Sequence, residues 1–316
     1  MKLERNLTKP EWKNLIMKNQ YGIITRAISL ALAILAIIGG AGQAADVQYT
    51  FQEINVPGSS TSDAWGINSA GDVVGNCSFG SQFLGFLWQR GVFTTISVPG
   101  STYTAAFAIN SSGVIVGEFG DALTSHAYVL RNGKFTVIDY PGAIATGAPR
   151  INDKGDIIGG YLTADNPFVA HGFLLNHDGT FQTVAYPDAL ESGGNAINAR
   201  GDIVGNWDND LFFNFHGFLL TGGNFINLDY PGAIGELGGS NPTGINASGQ
   251  ICGVFSDADG SHGYVFDNGL FTAIDAPAGV FGTTGVFGLN DTGKLVGKYR
   301  NPTLAHRVAF IATPVR

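Results

Sequence analysis

The sequence predicts an all-β protein, a six-bladed β-propeller with four antiparallel strands in each blade. Three observations support this prediction: one motif recurs six times, the segments between turns are short, and glycine is very abundant. The 316 residues include 46 glycines, and 44% are hydrophobic against 13% charged, which is the composition of a folded, core-forming chain. Abundant glycine indicates many tight turns. No stretch after Ala45 has sustained helical periodicity.

The motif that recurs is apolar-Asn-x-x-Gly-x-apolar-x-Gly. Its Asn and first Gly suit a type I turn between two strands. Two further motifs complete each repeat, His-(Ala/Gly)-(Phe/Tyr) and Phe-x-x-apolar-x-x-Pro, and tight-turn pairs such as Asn132-Gly133 separate them. Successive asparagines are 42 to 48 residues apart, which matches one four-stranded propeller blade. The six asparagines are Asn68, Asn110, Asn152, Asn198, Asn246 and Asn290.

The repeats are offset around the predicted ring. The last repeat stops near Phe310 without a fourth strand, whereas an additional copy of the third motif, Phe51 to Pro57, precedes the first Asn motif. We therefore expect the segment from Val47 to Val56 to be the missing fourth strand of the last blade. This pairing closes the ring and leaves no bare sheet edge.

The pairing of Ile-Asn-x-x-Gly-x-Ile-Val-Gly with His-(Ala/Gly)-(Phe/Tyr) resembles the HAF-repeat family of bacterial repeat proteins. The resemblance covers about Val47 to Phe310. It implies an exported, extracellular repeat protein and assigns no activity. The chain departs from the family pattern in the first copy, where Leu84 replaces His, and it mostly carries Gly where the family name has Ala.

The first 44 residues have the order of a secretory signal, with a basic region, an apolar stretch from Ala27 to Ile38 and then small residues. Gly42 and Ala44 fit a cleavage site, so we expect a signal peptide over 1–44 and a single propeller domain over 45–316. The apolar stretch is shorter than the roughly 20 residues of a membrane span, and a retained signal anchor is the alternative. The sequence thus predicts an exported protein, extracellular or periplasmic, without a membrane segment after cleavage.

The predicted domain is strongly acidic. It carries 11 basic and 23 acidic residues, a net charge of −12. Such a surface repels phosphate backbones, which argues against nucleic acid as a partner. We expect a monomer.

The repeated histidines fall at the start of the third strand of each blade. At ~4.8 Å per strand they lie roughly 10 Å from the innermost strand, so histidines of different blades cannot converge on a metal ion. We expect them to form hydrogen bonds within or between blades. Cys77 and Cys252 fall in the first and fifth copies. Blade six separates these blades, so the predicted ring places the thiols too far apart for a disulfide.

The sequence contains no Gly-x-Ser-x-Gly, His-Glu-x-x-His or Walker motif. A glycosidase or lyase needs only two well-placed carboxylates, so catalysis stays open. The acidic clusters at 208–210 and 257–260 have too few ligands for a complete calcium loop. We expect no metal site and no cofactor, with calcium as the one ion left open.

The repeats differ most at one rim. The distance along the chain from the Gly that ends the first motif to the His of the second motif is nine residues in copies two, five and six. It is twelve residues in copy three and eleven in copy four. The link from the third motif to the next Asn is also longer in copy five. Strand polarity places these insertions on one face, where aromatic and acidic side chains suit a sugar or a peptide; local packing of enlarged loops is the alternative. The predicted ligand-binding residues are Tyr161, Asp165, Phe168, Trp207, Asp208, Asp210, Phe212, Phe213, Phe215 and Glu236.

These features favour a non-enzymatic, exported scaffold that binds an extracellular glycan or protein on this rim. The alternative is a polysaccharide-active hydrolase or lyase that uses rim carboxylates.

Overall fold

The computed structural model describes residues 47–121, 123–209, 214–235 and 238–315. The signal peptide predicted over 1–44 lies outside this part of the chain. The described residues form strands β1 to β24 and no α-helix. None of these segments is a helix with the length and apolar character needed to cross a membrane.

Successive strands form antiparallel meanders that follow the sequence repeats. The first repeat contains β2 (Thr61–Ile67), β3 (Val73–Phe79), β4 (Gln82–Gln89) and β5 (Val92–Ile96). The second contains β6 (Tyr103–Ile109), β7 (Ile115–Gly120), β8 (Ser125–Arg131) and β9 (Lys134–Val137). The third contains β10 (Ala145–Ile151), β11 (Ile157–Leu162), β12 (His171–Leu175) and β13 (Phe181–Val184).

The second half of the chain repeats this order. The fourth repeat contains β14 (Glu191–Ile197), β15 (Ile203–Asp208), β16 (His216–Thr221) and β17 (Asn224–Asn227). The fifth contains β18 (Ser240–Ile245), β19 (Ile251–Asp257), β20 (Gly260–Asp267) and β21 (Leu270–Ile274). The sixth contains β22 (Gly285–Leu289), β23 (Leu295–Arg300), β24 (Arg307–Pro314) and, from the other end of the domain, β1 (Tyr49–Ile54).

Hydrogen bonding joins the strands into four separate four-stranded sheets and one eight-stranded sheet. The all-β propeller arrangement is confirmed, but the six separate blades expected from the sequence are not found, because only four sheets stand alone. The third and fourth repeats share one sheet through a single parallel bridge between His171 and Ser192. The bridge forms because Gly172 and Gly193 have no side chains where they meet, which lets the two backbones approach closely.

The N-terminal strand completes the last repeat. β1 pairs antiparallel with β24, from Tyr49 opposite Pro314 to Ile54 opposite Ala309. The expectation that this strand is the missing fourth strand is confirmed. The pairing covers the edge that β24 would otherwise expose.

The repeated asparagines form a closed ring of hydrogen bonds around the propeller axis. Each Asn Nδ2 donates to the backbone carbonyl of the equivalent Asn in the next repeat, at 3.0 to 3.4 Å, and Asn290 donates back to Asn68. All six side chains are buried. The sequence predicted the turn role of this residue but not the bond to the neighbouring repeat. This Asn ring surrounds a small cavity of about 90 Å³ at one mouth of the axial channel.

Every first strand has a β-bulge three or four residues before its Asn, where one extra residue has no partner on the second strand. A bulge bends the strand and redirects the side chain of the extra residue. The bulged residues include Trp65, Phe107, Thr243 and Phe287, and all four line the channel behind the Asn ring.

Aromatic pairs fill the core of each repeat. A Phe or Tyr on the third strand of each repeat is fully buried, and the Phe of the third motif packs against it with ring centroids 5.1 to 5.9 Å apart. The Phe of the third motif is half-buried and packs against the core of its repeat. The Gly that ends the first motif is required by this packing, since a Cβ on Gly75 would lie 2.7 Å from the Phe86 ring and 2.1 Å from the Asp63 carbonyl.

Candidate functional site

Tyr161 and Trp207, two of the predicted binding residues, lie within strands. Tyr161 belongs to β11 and Trp207 to β15, each two residues after the Gly that ends the first motif. Equivalent positions in other repeats carry Phe119, Phe255 or Tyr299. Their assignment to exposed, inserted loops was therefore wrong. The second strand continues past the glycine because its backbone still pairs with both neighbouring strands.

Both side chains are sandwiched between two other rings. Trp207 stacks on Tyr186 at 4.5 Å and on His216 at 4.7 Å. In the same way Tyr161 lies between Tyr140 at 3.7 Å and His171 at 5.3 Å. Tyr186 and Tyr140 come from the preceding repeat. These stacks therefore join neighbouring repeats, which is the packing role that was the alternative to binding.

The other predicted rim residues have different environments. Asp208 ends β15 and is buried. Asp165 and Phe168 lie in the loop between β11 and β12, where Phe168 is 83% exposed. Phe215 precedes β16 and is half-buried. The remaining four residues, Asp210, Phe212, Phe213 and Glu236, lie outside the described part of the chain.

A cleft of about 490 Å³ opens on the rim beside the fourth repeat. Asn209 and Asn214, from the connection between β15 and β16, line this cleft together with Ile234 and Gly235, from the link between β17 and β18. The two types of connection thus share one face here, as strand polarity predicted. The Nε1–H of Trp207 is buried and meets no hydrogen-bond acceptor in the described ranges. The described lining residues of this rim cleft are Trp207, Asp208, Asn209, Asn214, His216, Ile234 and Gly235.

Two carboxylates lie next to each other at the same rim. Glu191, at the start of β14, is directly opposite Asp208 on β15. Burial raises the pKa of the Glu191 carboxyl, and the nearby charge of Asp208 raises it further. Sequence reasoning missed Glu191 because nothing in a single strand shows which residue lies opposite it in the neighbouring strand.

The repeated histidines form hydrogen bonds inside their own repeats, as the sequence predicted. In three repeats the Nδ1 atom of the His lies 2.7 to 2.9 Å from an Asp two residues before the third-motif Pro. In the second repeat the Asp139 carboxylate accepts this bond from the His126 ring, and the bond is the main reason why the pKa of His126 is raised. The three pairs are His126–Asp139, His216–Asp229 and His262–Asp275.

A second cavity, of about 80 Å³, lies in the axial channel behind the Asn ring. We call it the axial chamber. Its walls include the bulged residues Trp65, Phe107, Thr243 and Phe287, together with Arg150. Sequence analysis did not select these residues, although the variation at this position among the repeats was a usable signal. A strict alternation of inward and outward side chains does not reveal them, because the bulge breaks that alternation.

No group of three or more His, Cys, Asp or Glu side chains within the described ranges is placed to hold a metal ion. In the acidic cluster at 257–260, the Asp257 carboxylate accepts a hydrogen bond from the Asp259 backbone N–H at 2.8 Å, which is a turn contact. Cys77 and Cys252 are both free and buried, in agreement with the prediction that they are not bonded to each other.

No protein-family model and no curated protein sequence matches this chain. Solved structures match its fold at low identity. A protein of unknown function from Dyadobacter fermentans has 11% identity and a TM-score of 0.53, and the match covers 86% of this chain and 100% of that one. SapL1 lectin in complex with alpha methyl fucoside has 12% identity and a TM-score of 0.52, covering 80% and 93%.

A catalytically inactive variant of virginiamycin B lyase from Staphylococcus aureus, with quinupristin, has 13% identity and a TM-score of 0.50, covering 85% and 100%. At these identities the likeness concerns the fold alone. Together with the strand pairing, it shows that the chain is a β-propeller.

Proposed function

We propose that this chain is an exported member of the HAF-repeat family, a six-bladed propeller that binds an extracellular glycan or protein at the rim cleft and catalyses no reaction. Six blades result if the eight-stranded sheet counts as two. The single bridge between His171 and Ser192 is the one strand pairing between its halves. The Asn ring, with one member from each of six repeats, supports the same count.

The observation that carries the binding proposal is the indole N–H of Trp207. This buried donor meets no acceptor in the described ranges, although its ring is held rigidly between Tyr186 and His216. A buried donor without a partner costs about 1–3 kcal/mol. Because Trp207 lines an open cleft, a ligand hydroxyl or carbonyl oxygen can supply the missing acceptor.

The cleft has the mixed character that suits a sugar. Trp207 and Ile234 contribute apolar surface, while Asn209 and His216 contribute polar groups. Sugars present both apolar ring faces and hydroxyl groups, which match aromatic edges and amides. The lectin of similar fold was solved with a methyl fucoside, so monosaccharide glycosides are reasonable first probes.

The proposal is tested by applying the purified protein to a glycan array and measuring the affinity of each hit by calorimetry. Trp207→Phe keeps the stacked ring but removes the donor. We expect it to weaken binding about three- to tenfold, the value of one hydrogen bond, with little change in melting temperature. Leu270→Ala, at an exposed hairpin on the opposite face, is the matched control and should bind as the parent does.

Two results would contradict the proposal. One is a protein that binds no glycan on the array and no protein from the extracellular medium of its host. The other is a ligand whose affinity is the same for Trp207→Phe and for the parent.

Glu191 and Asp208 favour a second candidate function, that of a hydrolase or lyase at the same rim. Adjacent carboxylates of which one has a raised pKa are a common arrangement of a general acid beside a base. Product release from a bound polysaccharide, abolished by Glu191→Gln but not by Asp165→Asn, would establish this activity. Binding without turnover in the parent would favour the scaffold.

A further inference from the structure

Two cations contact the aromatic rings of the axial chamber, and one of them, Arg150, lines the chamber. The Arg150 guanidinium lies 5.8 Å from the Trp65 ring centroid and 5.2 Å from that of Phe107. The Lys298 ammonium lies 5.7 Å from Trp65 and 5.1 Å from Phe287. Two positive charges thus share one aromatic cluster in a domain whose net charge is −12.

Only one of these cations has an acidic partner. Lys298 lies 4.0 Å from the Asp63 carboxylate, which also pairs with Arg307 at 3.4 Å. In the described part of the chain no carboxylate lies within 4 Å of Arg150. Glu118, which lies against Gly147 of the same strand as Arg150, accepts a hydrogen bond from the Tyr103 hydroxyl.

The hydrogen bonds of Arg150 are also incomplete. Within the described ranges its Nη1 donates to the carbonyl of the adjacent Pro149 at 3.3 Å, and its Nε–H is buried and meets no acceptor. Loss of solvation lowers the pKa of this guanidinium to about 10, although part of its surface is open to the channel. A second buried donor without an acceptor belongs to the same wall, the Nε1–H of Trp65.

We propose that the axial chamber is a binding site for a small carboxylate anion, held by Arg150 and the indole N–H of Trp65. This site is separate from the rim cleft and does not rest on the function proposed for it. A carboxylate supplies both the missing charge and the missing acceptors. Its planar pair of oxygens matches the planar fork of a guanidinium.

The size and lining of the chamber select a small ligand. About 80 Å³ holds a few waters or a two- to three-carbon acid. The rings of Phe107 and Phe287 provide apolar surface for a short alkyl group. Thr243 cannot offer its proton, because its hydroxyl already donates to the Val286 carbonyl at 2.8 Å. Among the described side chains that line the chamber, Arg150 and Trp65 have buried donors without acceptors.

The test is thermal unfolding of the full chain while acetate replaces chloride at constant ionic strength. We expect the melting temperature to rise with the logarithm of the acetate concentration once this exceeds the dissociation constant, by about 3 °C at tenfold above it. Arg150→Met removes an uncompensated buried charge. It should raise the melting temperature in acetate-free buffer and abolish the acetate response.

Arg200→Met is the matched control, since Arg200 is half-exposed and already paired with Asp202 at 2.8 Å; its acetate response should equal that of the parent. If Arg150→Met does not fold, Arg150→Lys decides, because it keeps the charge and loses the fork. A severalfold weaker acetate dissociation constant supports the site, and an unchanged constant overturns it. The site is also overturned if the melting temperature of the parent does not rise with acetate, or if Arg150→Met responds as the parent does.

Discussion

The Asn ring makes a specific prediction at Asn198, where the side chain forms four hydrogen bonds. Its Nδ2 donates to Asp202 at 2.9 Å and to the Asn246 carbonyl at 3.2 Å. Its Oδ1 accepts the backbone N–H groups of Arg200 at 2.9 Å and Asp202 at 3.1 Å. The bond to the Asn246 carbonyl reaches across to the next repeat, and the other three bonds hold the turn. Asn198→Ala removes all four bonds at once.

The loss of stability expected for Asn198→Ala follows from the backbone groups that the substitution leaves without hydrogen-bond partners. The backbone N–H groups of Arg200 and Asp202 and the carbonyl of Asn246 lose their partners, and Asp202 and Asn246 are buried. Each buried group without a partner costs about 1–3 kcal/mol, but the open mouth of the channel allows water to replace part of the loss. We therefore expect Asn198→Ala to lower the free energy of unfolding by about 2–4 kcal/mol.

Urea unfolding of the purified protein, followed by tryptophan fluorescence, measures this cost as a lower midpoint at unchanged slope. Asn224→Ala is the control, because the exposed Asn224 amide donates one bond, to the Gly222 carbonyl at 3.2 Å; its effect should stay within about 0.5 kcal/mol. If Asn198→Ala costs no more than this control, the ring bonds add nothing beyond what water provides, and the reasoning is refuted.

Three further predictions concern the chain end, the thiols and one histidine. Deleting residues 45–57 exposes the edge of β24, so the protein should aggregate or lose much of its stability. A monomeric peak in size-exclusion chromatography together with a melting curve like that of the parent would contradict this prediction. Burial raises the pKa of Cys77 to about 11 and that of Cys252 to about 12, so both thiols should react with Ellman's reagent only after denaturation, and a disulfide peptide in the mass spectrum would contradict this. Asp139→Asn should lower the raised pKa of His126 in an NMR titration. Because a raised histidine pKa stabilises the fold below about pH 6.5 and this contribution is lost as pH rises through the folded-state pKa, the stability difference between parent and variant should vanish at alkaline pH.

The repeat architecture could be predicted because its signals are local. The spacing of the Asn motif, the turn residues and the spare copy of the third motif together predicted the strand order and the pairing of β1 with β24. The merging of the third and fourth repeats into one sheet was not predictable. It depends on the contact between Gly172 of one repeat and Gly193 of the next. The sequence motifs describe single repeats and do not predict contacts between two of them.

The rim illustrates the opposite case. Trp207 and Tyr161 follow the first motif and precede an insertion, so the sequence placed them in loops. Strand ends depend on hydrogen bonds to neighbouring strands, and β15 keeps such partners as far as Asp208. The Tyr186 ring that stacks on Trp207 comes from the preceding repeat. Sequence patterns within one repeat do not show that these two rings meet.

The amino-acid sequence by itself determined the class of the fold, the number of repeated units and the offset that joins the two ends of the domain. These follow from turn chemistry and side-chain periodicity, which act over a few residues. Only the tertiary structure decided which side chains face the axis and which polar atoms lack partners there. Trp65 and Arg150 are far apart in sequence and ordinary in type. They line one chamber because each lies at or next to the β-bulge of its strand, and loss of solvation there makes an unpaired donor costly.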